Sequence, residues 1–268
     1  CPLWLMFFWL RLCRFVTSVV KIVFMDIVLE ALDLAFNLDG RQIFQNLNFR
    51  LQRGEIYVVL GASGSGKSVL LKLCSGLFSP ANGRVEIEGI NLATAPKKVS
   101  QAMRMKMGFV FQEAALISNM SIYDNVALPL RYHTGLKEAE VQARVAEKMN
   151  LFEVDRQYDR SIPAQLSLGM RKRAALARAL VLEPELLFLD EPGTGLGGEA
   201  EYLVFKVLKE YHRQTRASFL MVTSEGHSAF TIADRIGLLE NGRIVAEGPA
   251  QEMRERLAKV KQPGSWSA

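Results

Sequence analysis

Gly61-Ala62-Ser63-Gly64-Ser65-Gly66-Lys67-Ser68 fits the phosphate-binding loop pattern G-x-x-x-x-G-K-[ST] at every required position. The apolar run Ile56-Tyr57-Val58-Val59-Leu60 before it predicts a buried strand, and Val69-Leu70-Leu71-Lys72-Leu73 after it predicts a helix. Strand, loop and helix therefore stand in the order that phosphate binding needs. Glycines let such a loop curl so that successive N–H groups point at phosphate oxygens, and the helix N-terminus adds its partial positive charge. On this pattern Gly61, Ala62, Ser63, Gly64, Ser65 and Gly66 form the cradle, Lys67 bridges the β- and γ-phosphates, and the Ser68 hydroxyl ligates Mg²⁺. With glycine at about 7% of residues, a chance match in a chain this long arises on the order of once in a hundred.

A second stretch completes the chemistry. Leu186-Leu187-Phe188-Leu189-Asp190-Glu191 is four apolar residues running into two carboxylates, the form of a buried parallel strand whose C-terminal end meets a ligand. A phosphate loop followed by this pair reads as a nucleoside triphosphatase: Asp190 as a metal residue acting on Mg²⁺ through its water shell, Glu191 as the general base for the attacking water.

The 268 residues are 49% hydrophobic and 23% charged, enough for one large domain or two small ones. Of the formal charge of +5, Arg11, Arg14 and Lys21 supply three in a stretch that holds no acid, which leaves +2 for the rest. That balance points to no nucleic-acid partner. Three cysteines, Cys1, Cys13 and Cys74, lack metal-ligand spacing and fit a reducing compartment. Residues 1–24 read as an apolar and basic leader outside the functional domain; charges interrupt the apolar run before the roughly 20 residues of a spanning helix.

Along the chain, alternation predicts strands over Asp26 to Phe36, Leu47 to Leu51 and Arg84 to Glu88, with Asn37-Leu38-Asp39-Gly40 as a turn, and these early strands as partly antiparallel. Met107 to Phe111 is a buried strand ending at Gln112. From about 113 to 165 the spacing becomes helical (Ile122, Val126, Leu128 and Leu130, then Leu136 to Met149), which predicts a helical subdomain inserted into the core. A further helix covers Ser167 to Leu182, with Arg171, Lys172, Arg173 and Arg178 on its solvated face. Core strands at Ser218 to Thr223 and Arg235 to Leu239, and a hairpin at Asn241-Gly242, precede a charged helical tail over 249–268. The fold class is α/β: a P-loop NTPase core with an antiparallel β subdomain and the helical insertion, the functional domain running over 25–248.

Leu166-Ser167-Leu168-Gly169-Met170, just before the basic helix and upstream of Asp190-Glu191, narrows the class. The order of phosphate loop, Gln112, this signature and the Asp-Glu pair resembles the ATP-binding cassette family over Met25 to Gly248. The resemblance implies two cassettes sandwiching two ATP molecules, with Ser167 and Gly169 meeting the γ-phosphate bound to the partner. It also implies Gln112 coupling Mg²⁺ and the attacking water to a permease. Within the family, Phe111-Gln112-Glu113-Ala114-Ala115-Leu116 and Asp124-Asn125-Val126 through Thr134 resemble the cassettes of the Mla/Mce phospholipid transporters. That implies a homodimer, peripheral on the cytoplasmic face of the inner membrane, bound to permease subunits and to an Mce-type substrate-binding protein, acting in outer-membrane lipid asymmetry.

Three positions depart from the family pattern: Leu168 stands for the first signature glycine, Gly197 for the D-loop aspartate, and Ser224 at the catalytic switch-histidine position. Leu38 stands where an aromatic would stack on adenine, and His227 offers an imidazole three residues beyond Ser224. Nucleotide-binding groups are intact, so slow ATP turnover is the expectation. The alternatives are a nucleotide-sensing regulatory cassette, or the ATPase of another ABC importer.

Overall fold

The computed structural model describes residues 27–260; the leader at 1–24 and the end of the tail lie outside the described residues. Two sheets carry the fold. Strands β1 (Ile27–Leu38), β2 (Arg41–Gln52), β4 (Asn82–Ile87) and β5 (Ile90–Asn91) form an antiparallel sheet in the order β2-β1-β4-β5. The larger sheet runs β10-β9-β3-β8-β7-β6, from β3 (Ile56–Leu60), β6 (Met107–Val110), β7 (Leu186–Asp190), β8 (Ser218–Thr223), β9 (Arg235–Glu240) and β10 (Arg243–Pro249). All its pairs are parallel except β9 with β10.

The continuous apolar runs of the central strands follow from burial on both faces. Ile56, Val58 and Leu60 of β3, with Leu187 and Leu189 of β7, join a core shared with helices α3 (Ile122–His133), α4 (Glu138–Leu151), α5 (Leu168–Leu180) and α6 (Gly198–Thr215). Tyr57 and Val59, with Leu186 and Phe188, face the antiparallel sheet and helix α1 (Lys67–Cys74) in a second core. Side chains alternate across the strand, so one five-residue segment locks two layers together.

Several elements differ from the sequence expectation. Strands β1 and β2 run longer, through Leu38 and from Arg41; exposed hairpin residues hide the alternation, and register shifts interrupt the period. Helices α2 (Lys97–Met105) and α6 were not predicted, although Val204, Leu208 and Tyr211 of α6 are buried at helical spacing. Strand β4 starts at Asn82 and ends at Ile87, against the expected Arg84 to Glu88. The Asn241-Gly242 turn is as predicted, with φ values of 49° and 73°. Among the described residues no helix is long and apolar enough to cross a membrane.

Helix α5 overturns the reading of its basic residues. Lys172 is 2% exposed and donates to the carbonyls of Glu191 and Thr194. Arg178 donates to the carbonyls of Ala115 and Ala114 at 2.8 and 3.0 Å, and Arg173 to those of Phe152 and Glu153. These cations face inward because the loops beside them present carbonyls that no sheet or helix satisfies.

Candidate functional site

The C-terminal ends of β3, β7 and β8 meet at one rim of the larger sheet, and the sequence-predicted residues collect there. The loop after β3 enters α1 through Gly66, whose φ of 96° is left-handed and whose added Cβ would lie 2.7 Å from Ile43 Cγ2. Helix α1 has no side-chain cap and no acid in its first turn, so its leading N–H groups and dipole are uncommitted. Ser65 Oγ is buried with no hydrogen-bond partner, a donor aimed into the loop.

Lys67 is 6% exposed, and its Nζ donates to the carbonyls of Gly61 and Ala62 at 2.9 Å each. The same Nζ lies 3.5 Å from Glu191 Oε1. Ser68 donates its hydroxyl to Asp190 Oδ1 at 3.0 Å, joining loop and strand end. Burial pushes the Asp190 carboxyl above the usual carboxylate range, against the opposing pull of the Ser68 hydrogen bond. An aspartate that is costly to charge in isolation is one that a bound cation stabilises.

Glu191 extends the strand by one residue, donating its N–H to the Val222 carbonyl, then turns with a left-handed φ of 49°. Its carboxylate accepts from Ser224 N–H at 2.8 Å, Thr194 Oγ1 at 2.8 Å and Thr223 Oγ1 at 2.9 Å. Ser224 thus reaches Glu191 through its backbone, and Thr194 and Thr223 are contacts that sequence reasoning missed. Both threonines flank strand ends beside the Asp-Glu pair, which is the signal that was available. The His227 side chain lies outside the described residues.

Gln112 follows β6 as an exposed residue, on the segment whose Ala114 and Ala115 are left-handed and held by Arg178. Ser167 caps α5, accepting from Met170 N–H at 3.3 Å, with Gly169 in the first turn. Neither lines the roughly 680 Å³ cleft beside the phosphate loop, whose walls include Arg41, Phe44, Ala62, Ser63 and Glu240. Leu38 does not line it either; Arg41 and Gln42 of the same hairpin do. The cleft is thus walled by the phosphate loop and the β1–β2 hairpin, while the first turn of α5 packs on Gly195 and Leu196 in the loop after Glu191.

The family model described as "ABC transporter" matches residues 44–194, which include the phosphate loop, the signature and the Asp-Glu pair. The chain belongs to the ABC transporter family. The cassette is 36% identical over 239 residues to the probable ribonucleotide transport ATP-binding protein mkl of Mycobacterium leprae, covering 89% of this chain and 67% of that protein. It is 34% identical over 222 residues to the intermembrane phospholipid transport system ATP-binding protein MlaF of Escherichia coli K12, covering 83% and 82% of the two chains. Among solved structures, a dimeric ATP-binding cassette in a post-hydrolysis state bound to ADP and Pi superposes with a TM-score of 0.77 at 27% identity, covering 83% of this chain and 98% of the other. The expected P-loop NTPase fold is thereby confirmed.

Proposed function

We propose that this cassette is the ATP-hydrolysing subunit of a phospholipid transporter, working as a homodimer on permease subunits at the cytoplasmic face of the inner membrane. The observation that carries the reading is the joining of Lys67, Ser68, Asp190 and Glu191 within hydrogen-bond and ion-pair reach at one strand rim. Ser68, Asp190 and Gln112 offer the hard oxygen donors that suit Mg²⁺. Among the described residues no group of three or more His, Cys, Asp or Glu could hold a metal, so phosphate oxygens and water would complete its shell. Bound there, the ion would neutralise charge developing on the phosphates.

The residues divide the remaining work. The α1 N-terminus and the loop amides hold the phosphates, Lys67 leaves its carbonyl partners for the β- and γ-oxygens, and Glu191 takes a proton from the attacking water. Ser167 and Gly169 close the partner's site, and Gln112 links it to the permease. Leu168, Gly197 and Ser224 remove contacts to the γ-phosphate or to the dimer seam, so turnover is slow; one lost transition-state donor costs about 10²–10³ in rate.

The phospholipid cargo follows from the name of the 34% identical MlaF, and the name of mkl supports transport of another solute; the Mce-type substrate-binding partner rests on the resemblance over residues 111–116 and 124–134. ATPase assays of the complex purified with its permease, in vesicles with and without phospholipid, decide between them. Stimulation by phospholipid and loss in Lys67→Ala are the expected result, and stimulation by ribonucleotides alone would overturn the cargo. The three departures favour a second reading, a sensor cassette that binds without hydrolysing. Single-turnover assays with radiolabelled ATP separate the two.

A further inference from the structure

One face of α5 grips the turn that carries Glu191. Leu168, Gly169 and Lys172 share that face at i, i+1 and i+4 spacing. An added Cβ at Gly195 would lie 3.2 Å from Leu168 Cδ2, and one at Gly169 would lie 3.4 Å from Leu196 Cδ2. Lys172 Nζ completes the grip, donating to the Glu191 carbonyl at 3.0 Å and to the Thr194 carbonyl. Lys172 is 2% exposed, and burial lowers its pKa against the raising influence of nearby Glu191, Glu113, Asp190 and Glu225. A buried cation of this kind is retained only where its donors are used. Here two of them close the turn at a residue whose φ is already left-handed.

We propose that Lys172 is a positioning residue for Glu191, tethering the signature helix to the main chain of the general base so that the carboxylate stays on Thr223 and Ser224. The proposal rests on the reading of Glu191 as the base. Signature engagement by nucleotide on the partner cassette then reaches each cassette's own Glu191 through a single side chain, with no intervening loop. Any shift of α5 along its axis pulls on the Glu191 peptide, because Nζ holds two carbonyls of the same turn.

The test uses the full chain with Lys172→Met, Lys172→Arg, Glu191→Gln and the Lys172→Met/Glu191→Gln double variant, measured for ATP affinity, KM and single-turnover kcat. Lys172→Met is expected to lower kcat at least tenfold with affinity and KM within twofold of wild type. Lys172→Arg, which keeps the donors, recovers most of the rate, and the double variant is no slower than Glu191→Gln alone. Wild-type kcat in Lys172→Met beside an inactive Glu191→Gln overturns the tether, as does a loss that multiplies in the double variant. A wild-type rate equal to that of Glu191→Gln overturns the reading of Glu191 itself, and the tether with it. Should Lys172→Met not fold, Lys172→Gln, whose shorter side chain cannot span both carbonyls, is expected to lower kcat at least tenfold, and a wild-type kcat in it overturns the tether.

Discussion

Leu168 packs against Gly195 so closely that a Cβ on the glycine would sit 3.2 Å from Leu168 Cδ2. The side chain gained in the signature therefore leans on Gly195, two residues before Gly197 in the same loop. Leu168→Gly frees that face beside Ser167 and Gly169. Steady-state phosphate release is expected to rise about tenfold, about 1.4 kcal/mol off the barrier, with KM unchanged. An unaltered rate would mean that Leu168 is no obstacle to turnover.

Tyr57 and Gly237 make a tight crossing between adjacent strands β3 and β9, where an added Cβ would lie 2.2 Å from the Tyr57 hydroxyl. That hydroxyl donates to Glu247 Oε2 at 3.0 Å, and the Arg235 guanidinium stacks 4.2 Å from the ring centroid. Gly237→Ala should destabilise the fold by about 2 kcal/mol through overpacking. Tyr57→Phe removes the clashing oxygen, so a denaturation double-mutant cycle should show the two changes costing less together than their sum. Strict additivity would contradict the crossing.

Arg131 ties α3 to α4, pairing with Asp124 Oδ1 at 2.7 Å and with Glu138 Oε1 at 2.5 Å. The Ser121 hydroxyl and Arg131 hold Asp124 below its ordinary 3.8, and Arg131 holds Glu138 below its ordinary 4.5. Carboxylates lowered in the fold stabilise it fully above their unfolded values and lose that contribution as pH falls through the folded ones. Arg131→Met should therefore lower the urea midpoint at pH 7 and less so near pH 3. Equal losses at both pH values would speak against the pairing.

Cys74 is fully buried in the core beneath the antiparallel sheet, and desolvation pushes its thiol far above the usual range. The thiolate is the reactive form, so alkylation requires global opening. Residue-resolved mass spectrometry should find Cys74 unlabelled by iodoacetamide in the native protein and labelled in denaturant. Native labelling on the timescale of an exposed cysteine would sink this.

The phosphate loop and β7 were legible because local chemistry and burial agree there: glycines bend where phosphate must approach, and a strand covered on both faces is apolar throughout. Asn241-Gly242 was legible for the same local reason. The basic run of α5 was not, since a binary pattern assigns charge to water and has no knowledge of distant carbonyls. Left-handed turns at Ala114, Ala115 and Glu191 create those carbonyls, and they become visible only once the chain is folded. The Asp124-Asn125-Val126 stretch carries part of the family resemblance, yet Asn125 is completely buried, its amide oxygen accepting from Ile117 N–H and its amide nitrogen donating toward the carbonyls of Ile117, Met120 and Ser121. Its role in the structure is to shape the bend before α3.

Lys172 and Arg178 hold main-chain oxygens, and Arg173 does so too beside contacts to Met170 Sδ and the Glu153 carboxylate. Every amino acid supplies that oxygen, so the main-chain part of this grip does not depend on which side chains the bends carry. The helix is a chassis to which three separate bends are fastened by their backbones.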